Sequence, residues 1–121
     1  MDPKRLGAIE TRFAQLIWDH APISSPALVK LCEAELGWKK STTYTVLKKL
    51  CDRGLFENDH GTVRVLVSRA EYDSVQSAQF VEEAFSGSLP AFLAAFAAGK
   101  KLSAAEVDEL QRMIDSFREE V

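Results

Sequence analysis

What this chain of 121 residues lacks narrows its function before any motif is read. It has only two cysteines, Cys32 and Cys51, too few to staple a secreted scaffold and without the spacing of metal ligands. Both fall on apolar helix faces, where a free thiol behaves as a small buried hydrophobe; a thiol switch or metal pair is the sharper alternative. The two histidines, His20 and His60, fall at a helix end and in a turn, so neither suits general-base work. There is no Gly-rich phosphate loop, no His-x-Glu zinc motif and no Ser/His/Asp set with a local signature. The adjacent pairs Glu82–Glu83 and Glu119–Glu120 point to different sides of a helix and cannot share a proton, so they read as solvated surface. The expectation is a non-enzyme with no metal and no cofactor. No segment approaches the ~18–20 apolar residues of a membrane helix, and the Ala-rich run at 91–98 is far too short. Met1-Asp2-Pro3-Lys4-Arg5 is not followed by an apolar signal run, so a cytoplasmic protein without membrane contact is expected.

What is present is unevenly placed. The net charge is −3, yet residues 1–69 hold 11 Lys/Arg against 8 Asp/Glu, and residues 70–121 hold 4 against 10. Between Gly37 and Arg53 five cations, Lys39, Lys40, Lys48, Lys49 and Arg53, face Asp52 alone. A basic cluster on an acidic protein is the electrostatic footprint of a nucleic-acid reader. It is equally the composition of a solvated Lys-rich helix face, and periodicity has to decide between them.

Ile9, Phe13, Leu16 and Ile17 mark one face of a helix over about residues 6–19, which His20-Ala21-Pro22 ends. Ser24 or Ser25 caps a second helix with Pro26 in its first turn, Leu28, Leu31, Cys32 and Leu36 on its apolar face, and Gly37 as a left-handed stop. After the short connection Gly37-Trp38-Lys39-Lys40, Ser41 or Thr42 caps a third helix that runs to Gly54. Winding it at ~100° per residue gathers Thr43, Val46, Leu47, Leu50 and Cys51 on one arc. Thr42, Thr45, Lys48, Lys49 and Asp52 fall on the other arc, with Tyr44 at the border. Leu55–Asn58 and Val63–Val67 then read as two strands around the turn Asp59-His60-Gly61-Thr62, with Val63, Val65 and Val67 on one face and Arg64 on the other. Three helices and a hairpin make a winged helix-turn-helix, whose third helix would enter the major groove while the wing lies over the backbone.

The rest is helical and acidic. Tyr72, Val75, Ala78, Val81 and Phe85 trace a stripe over about 70–86, broken at Ser86-Gly87-Ser88. Leu89, Phe92, Leu93 and Phe96 form a shorter helix ended by Gly99. Ser103-Ala104-Ala105-Glu106 is a capping box that starts Val107, Leu110, Ile114 and Phe117. These short helices carry more apolar surface than they can bury alone, so pairing with a second copy through Val81, Phe85, Leu89, Phe92, Phe96, Leu110, Ile114 and Phe117 is expected. Folding back onto the winged domain is the alternative. The chain is thus expected to be mostly α with a small β-hairpin: a winged helix-turn-helix DNA-binding domain over 1–69, then a C-terminal helical dimerisation region over 70–121.

These residues resemble the penicillinase repressor family of winged-helix transcriptional repressors over most of the chain. The similarity lies in Phe13-Ala14-Gln15-Leu16-Ile17-Trp18, in the run from Trp38 through Lys39-Lys40-Ser41-Thr42-Thr43-Tyr44-Thr45 to Leu50, in Arg53-Gly54-Leu55, and in the tail Leu102-Ser103-Ala104-Ala105-Glu106-Val107-Asp108-Glu109-Leu110. The resemblance implies a homodimer on a palindromic double-stranded DNA operator of resistance or homeostasis genes. It maps the base-facing positions onto Thr42, Tyr44, Thr45, Lys48 and Lys49. Antibiotic-resistance members of the family are inactivated by a protease at an Asn–Phe bond, which would make an inducing protease a partner; the matching position here is Ala95–Phe96, a departure from that bond. Copper-responsive members carry Cys-x-Cys pairs near the C-terminus, and this chain has no cysteine after Cys51.

With no arginine on the third helix's outer face, readout is expected to use thymine methyls, single lysine contacts and phosphate anchoring. Lys39, Lys40, Lys48, Lys49 and Arg64 would hold phosphates while Thr42, Tyr44 and Thr45 meet base edges. A different class of function is a winged-helix protein–protein adaptor docking an acidic partner, disfavoured by the lack of large apolar anchors on that face. A third reading keeps the DNA role and adds a small-molecule pocket among the C-terminal phenylalanines.

Overall fold

The computed structural model describes residues 5–119, apart from the side chain of Glu119, so the sequence readings at Met1–Lys4 and on the Glu119–Glu120 pair lie outside what is described. The elements are α1 (Ala8–His20), β1 (Ile23–Ser24), α2 (Ser25–Leu36), α3 (Lys40–Asp52), β2 (Phe56–Asp59), β3 (Thr62–Val65), α4 (Arg69–Phe85), α5 (Leu89–Gly99) and α6 (Ala104–Glu119). They fall into two compact units, residues 1–77 and 78–121, dividing within α4.

In the first unit local chemistry sets each helix end. Gly7 opens α1, with its N–H donating to Glu10 Oε1 at 3.1 Å. Ser24 caps α2 by accepting from the Ala27 N–H, and Gly37 stops it at φ 67°, a left-handed conformation that costs glycine little. The start of α3 differs from the expectation that Ser41 or Thr42 would cap it. Lys39 is the N-cap, and no side chain caps the helix there. Ser41 is already helical, and its carbonyl accepts from the Thr45 hydroxyl.

The expected hairpin forms, tightened to a two-residue turn. His60 (φ 52°) and Gly61 (φ 90°) both adopt positive φ, the backbone of the turn that matches strand twist. The sheet nevertheless has three strands, in the order β1-β3-β2, because Ile23–Ser24 pairs antiparallel with Thr62–Val63. Two residues between a proline and a helix, the second of them the helix cap, leave no alternation to read. The valine stripe fades along β3: Val63 is fully buried, while Val65 is 37% exposed.

The core joins Phe13, Ala14 and Ile17 of α1, Leu28 and Cys32 of α2, and Leu47 and Leu50 of α3 with Leu55, Phe56, Val63 and Tyr72. Trp38, in the connection before α3, packs its ring 5.2 Å from that of Phe13. Trp18 packs edge-on to Phe56 and tilted to Tyr72, and donates its indole N–H to the Val67 carbonyl at 2.9 Å. The Tyr72 hydroxyl in turn accepts from the Leu6 N–H, and the Arg69 guanidinium lies over the Trp18 ring. The first turn of α4 is therefore tied to this core. Ile9, expected on the apolar face of α1, is 47% exposed.

The second unit has thin packing of its own. Phe80, Phe85, Phe92 and Phe96 form a chain of ring contacts at 5.6–6.2 Å. Ser88 caps α5, and the reciprocal Ser103–Glu106 box caps α6 as expected. No residue of α5 is buried, and Ile114 and Phe117 of α6 are 48% and 57% exposed. An open groove of about 340 Å³ between α5 and α6 is lined by Phe92, Phe96, Leu102, Leu110 and Met113, with Glu106 and Glu109 at its side. Among the described residues no helix is long and apolar enough to cross a membrane, and no group of three or more His, Cys, Asp or Glu could hold a metal ion.

Candidate nucleic-acid interface

The third helix is held from behind. Thr43, Leu47 and Leu50 are buried, and the Thr43 hydroxyl keeps its hydrogen bond inside the helix by donating to the Lys39 carbonyl. This anchoring turns Ser41, Thr42, Thr45, Lys48 and Lys49 outward, all exposed. The outer arc read from periodicity is thus the exposed face of α3.

The candidate residues differ in how free they are. Lys39 and Lys40 are exposed and form no ion pair among the described residues. They sit at the N-terminal end of α3, where unpaired backbone N–H groups and the helix dipole already favour an anion. Cations there oppose the dipole by roughly 0.3–1 kcal/mol, and a missing N-cap side chain costs about 1 kcal/mol more. Stability alone would select Ser or Asp at position 39, where the chain has a lysine.

Further along, Lys48 pairs with Asp52 at 3.0 Å, both side chains well exposed. Lys49 has a partner that α3 itself does not contain: Glu10 of α1, at 3.4 Å. Arg53 approaches the other oxygen of the same carboxylate at 3.6 Å. The Gly7 N–H, then Arg53 and Lys49, hold the Glu10 carboxyl below its ordinary range, against the upward push of its burial. Sequence reasoning missed Glu10, since its partners lie far along the chain and no local pattern marks them.

Tyr44 is half-buried rather than presented, and its hydroxyl donates to Ser25 Oγ at 3.2 Å. Ser25, buried at the start of α2, also donates its N–H to the Gly61 carbonyl at the wing turn. One polar link therefore joins α3, α2 and the wing. Arg64, on β3, is half exposed, 4.0 Å from Asp59 and opposite Glu57 in the strand register. The thiols are not poised for reaction: burial raises both Cys32 and Cys51 above the ordinary thiol range.

A three-helix unit with an exposed threonine- and lysine-bearing third helix and a short β wing is the winged helix-turn-helix arrangement. The family model of the penicillinase repressor matches residues 6–116. The penicillinase repressor of Bacillus licheniformis is 25% identical over 114 residues, covering 90% of this chain and 88% of that protein. On the fold, the exposed third helix and a match spanning nearly its whole length, the chain belongs to the penicillinase repressor family, a family of DNA-binding transcriptional repressors.

Proposed function

We propose that the chain represses transcription as a homodimer on a palindromic operator, one α3 entering the major groove of each half-site. The observation that carries this reading is the uncapped, lysine-flanked start of α3, exposed and without an ion pair among the described residues, beside a polar outer face. In this reading Lys39 and Lys40 anchor a phosphate at the helix N-terminus, and Lys48, Lys49 and Arg64 add further backbone contacts. Thr42 and Thr45 meet base edges. Tyr44 reaches bases only by its ring edge while its hydroxyl stays on Ser25.

The homodimer is supported by the second unit, where Leu89, Phe96, Ile114 and Phe117 are each 45–62% exposed. Val81, Phe85, Phe92 and Leu110 are only partly covered. A second copy covering these residues would give the two-fold symmetry that a palindrome requires. The regulated genes would be resistance or homeostasis genes, as in the family. An inducing protease would meet Ala95–Phe96, both exposed on α5, and would have to unwind that helix to cut.

A mobility-shift titration with the DNA upstream of the chain's own gene, against a shuffled duplex of equal composition, tests the reading. Preference for the upstream duplex by ~10³ or more at physiological salt is expected. Equal affinity for the two would leave only an adaptor or a general DNA binder.

A further inference from the structure

The carboxylate of Glu10 has no part in the fold's hydrophobic core, yet it is far more enclosed than Asp52, the acid of α3 itself. Its side chain is only 17% exposed and is fixed by the hydrogen bond from the Gly7 N–H. Two cations from the C-terminal half of α3 and its cap, Lys49 and Arg53, converge on its two oxygens at 3.4 and 3.6 Å. Beyond this cluster, Glu10 Oε2 and Arg53 Nη1 have no further polar partner among the described residues. The contrast with Asp52 is instructive. Asp52 and Lys48 are 66% and 77% exposed, so that pair exchanges freely with water and yields to a competing anion. Glu10 cannot move away in the same manner, because the chain holds it.

From this geometry we propose that Glu10 is a positioning residue that sets DNA affinity by occupying Lys49 in place of a backbone phosphate. The inference rests on the DNA-binding reading above and deepens it. A duplex phosphate near the end of α3 must take Lys49 from a carboxylate that stays where it is. The lysine then contributes less than a full phosphate contact, and Glu10 keeps binding weaker and less salt-dependent than the cation count of the segment implies. Arg53 is more enclosed, 28% exposed, and stays with Glu10 in either state.

The test is a salt titration of binding to a random-sequence duplex, where phosphate contacts dominate and no operator is needed. Wild type, Glu10→Gln, Lys49→Ala and the double variant are compared. Glu10→Gln keeps an oxygen for the Gly7 N–H and removes only the charge. It should bind more tightly at low salt and steepen the slope of log K against log salt by about 0.9, the value of one added phosphate contact. Lys49→Ala should erase that gain in the Glu10→Gln background and change the wild-type slope by much less than 0.9. Unchanged or weaker binding by folded Glu10→Gln, or a gain that survives Lys49→Ala, overturns the inference. Should Glu10→Gln lose its fold, Lys49→Ala alone decides: a slope loss of a full contact from wild type overturns the proposal, and a clearly smaller loss supports it. A purely structural staple between α1 and α3 would shift melting but not the salt slope. If wild type itself shows no salt-dependent binding, the DNA-binding reading falls first and this one with it.

Discussion

Replacing Lys39 with serine should move stability and DNA binding in opposite directions. Lys39 occupies the N-cap of α3 with extended backbone angles (φ −75°, ψ 158°), the conformation in which a serine side chain accepts from the next turn. Supplying that cap stabilises by about 1 kcal/mol, and removing a cation from the positive end of the helix adds roughly 0.3–1 kcal/mol. For a unit of this size each kcal/mol raises the melting midpoint by about 4–8 °C. The same change deletes a cation that has no protein partner among the described residues, so a phosphate contact is lost in full. The salt slope should flatten by about 0.9, and a fourfold rise in salt should weaken the variant about 3.5-fold less than wild type. Calorimetry and fluorescence-anisotropy titrations from 50 to 200 mM salt read both halves. A variant that melts higher yet keeps the wild-type slope would remove Lys39 from the DNA surface; one that melts lower would refute the account of the helix start.

Tyr44→Phe removes the hydroxyl that joins α3 to Ser25, and should cost about 0.5–1.5 kcal/mol in urea unfolding with little change in operator preference. A change of preference instead would make the hydroxyl a base contact. Ile114→Asp places a charge on the exposed apolar face of α6; sedimentation should then show a species of 13.5 kDa where wild type shows twice that mass, with the melting of the winged unit preserved. A wild-type monomer at micromolar concentration would refute the homodimer. Because the Glu10 carboxyl is held low when folded, it is protonated more readily in the unfolded chain, so its stabilisation is complete above the ordinary glutamate range. That stabilisation is lost as pH falls through the lowered folded value. Glu10→Gln should lack this share of the acid-side loss in denaturation midpoints measured between pH 6 and 3, and an identical pH profile would contradict the ion-pair cluster.

Most of the fold is written in short-range chemistry, and so was legible. Pro26 after Ser24, Gly37, the Asp59–Thr62 turn and the Ser103–Glu106 box each act within a few residues, and each is found where local rules put it. The exposed face of α3 was legible for a related reason: burial of Thr43, Leu47 and Leu50 has a helical period. What escaped depends on distance along the chain. β1 exists only because Thr62–Val63 offers it an edge, and no two-residue strand announces itself. The start of α3 was misread because Ser41 and Thr42 are better caps than Lys39 by intrinsic preference, and the packing of Trp38 on Phe13 sits just before that start. The i+4 spacing gave Lys48 a partner in Asp52 and left Lys49 none; Glu10, brought in by α1, is the partner that spacing could not show. Tyr44, at the border of the two arcs, turned inward to a serine that sequence spacing could not connect to it.

The central claim, that the exposed face of α3 and the wing meet duplex DNA, is tested most directly by mapping backbone amide shifts of the labelled protein on titration with duplex. Shifts concentrated at 39–49 and 60–64 are predicted, with the apolar α5 and acidic α6 surfaces silent. Shifts confined to residues outside those segments, or none at saturating duplex, would contradict it.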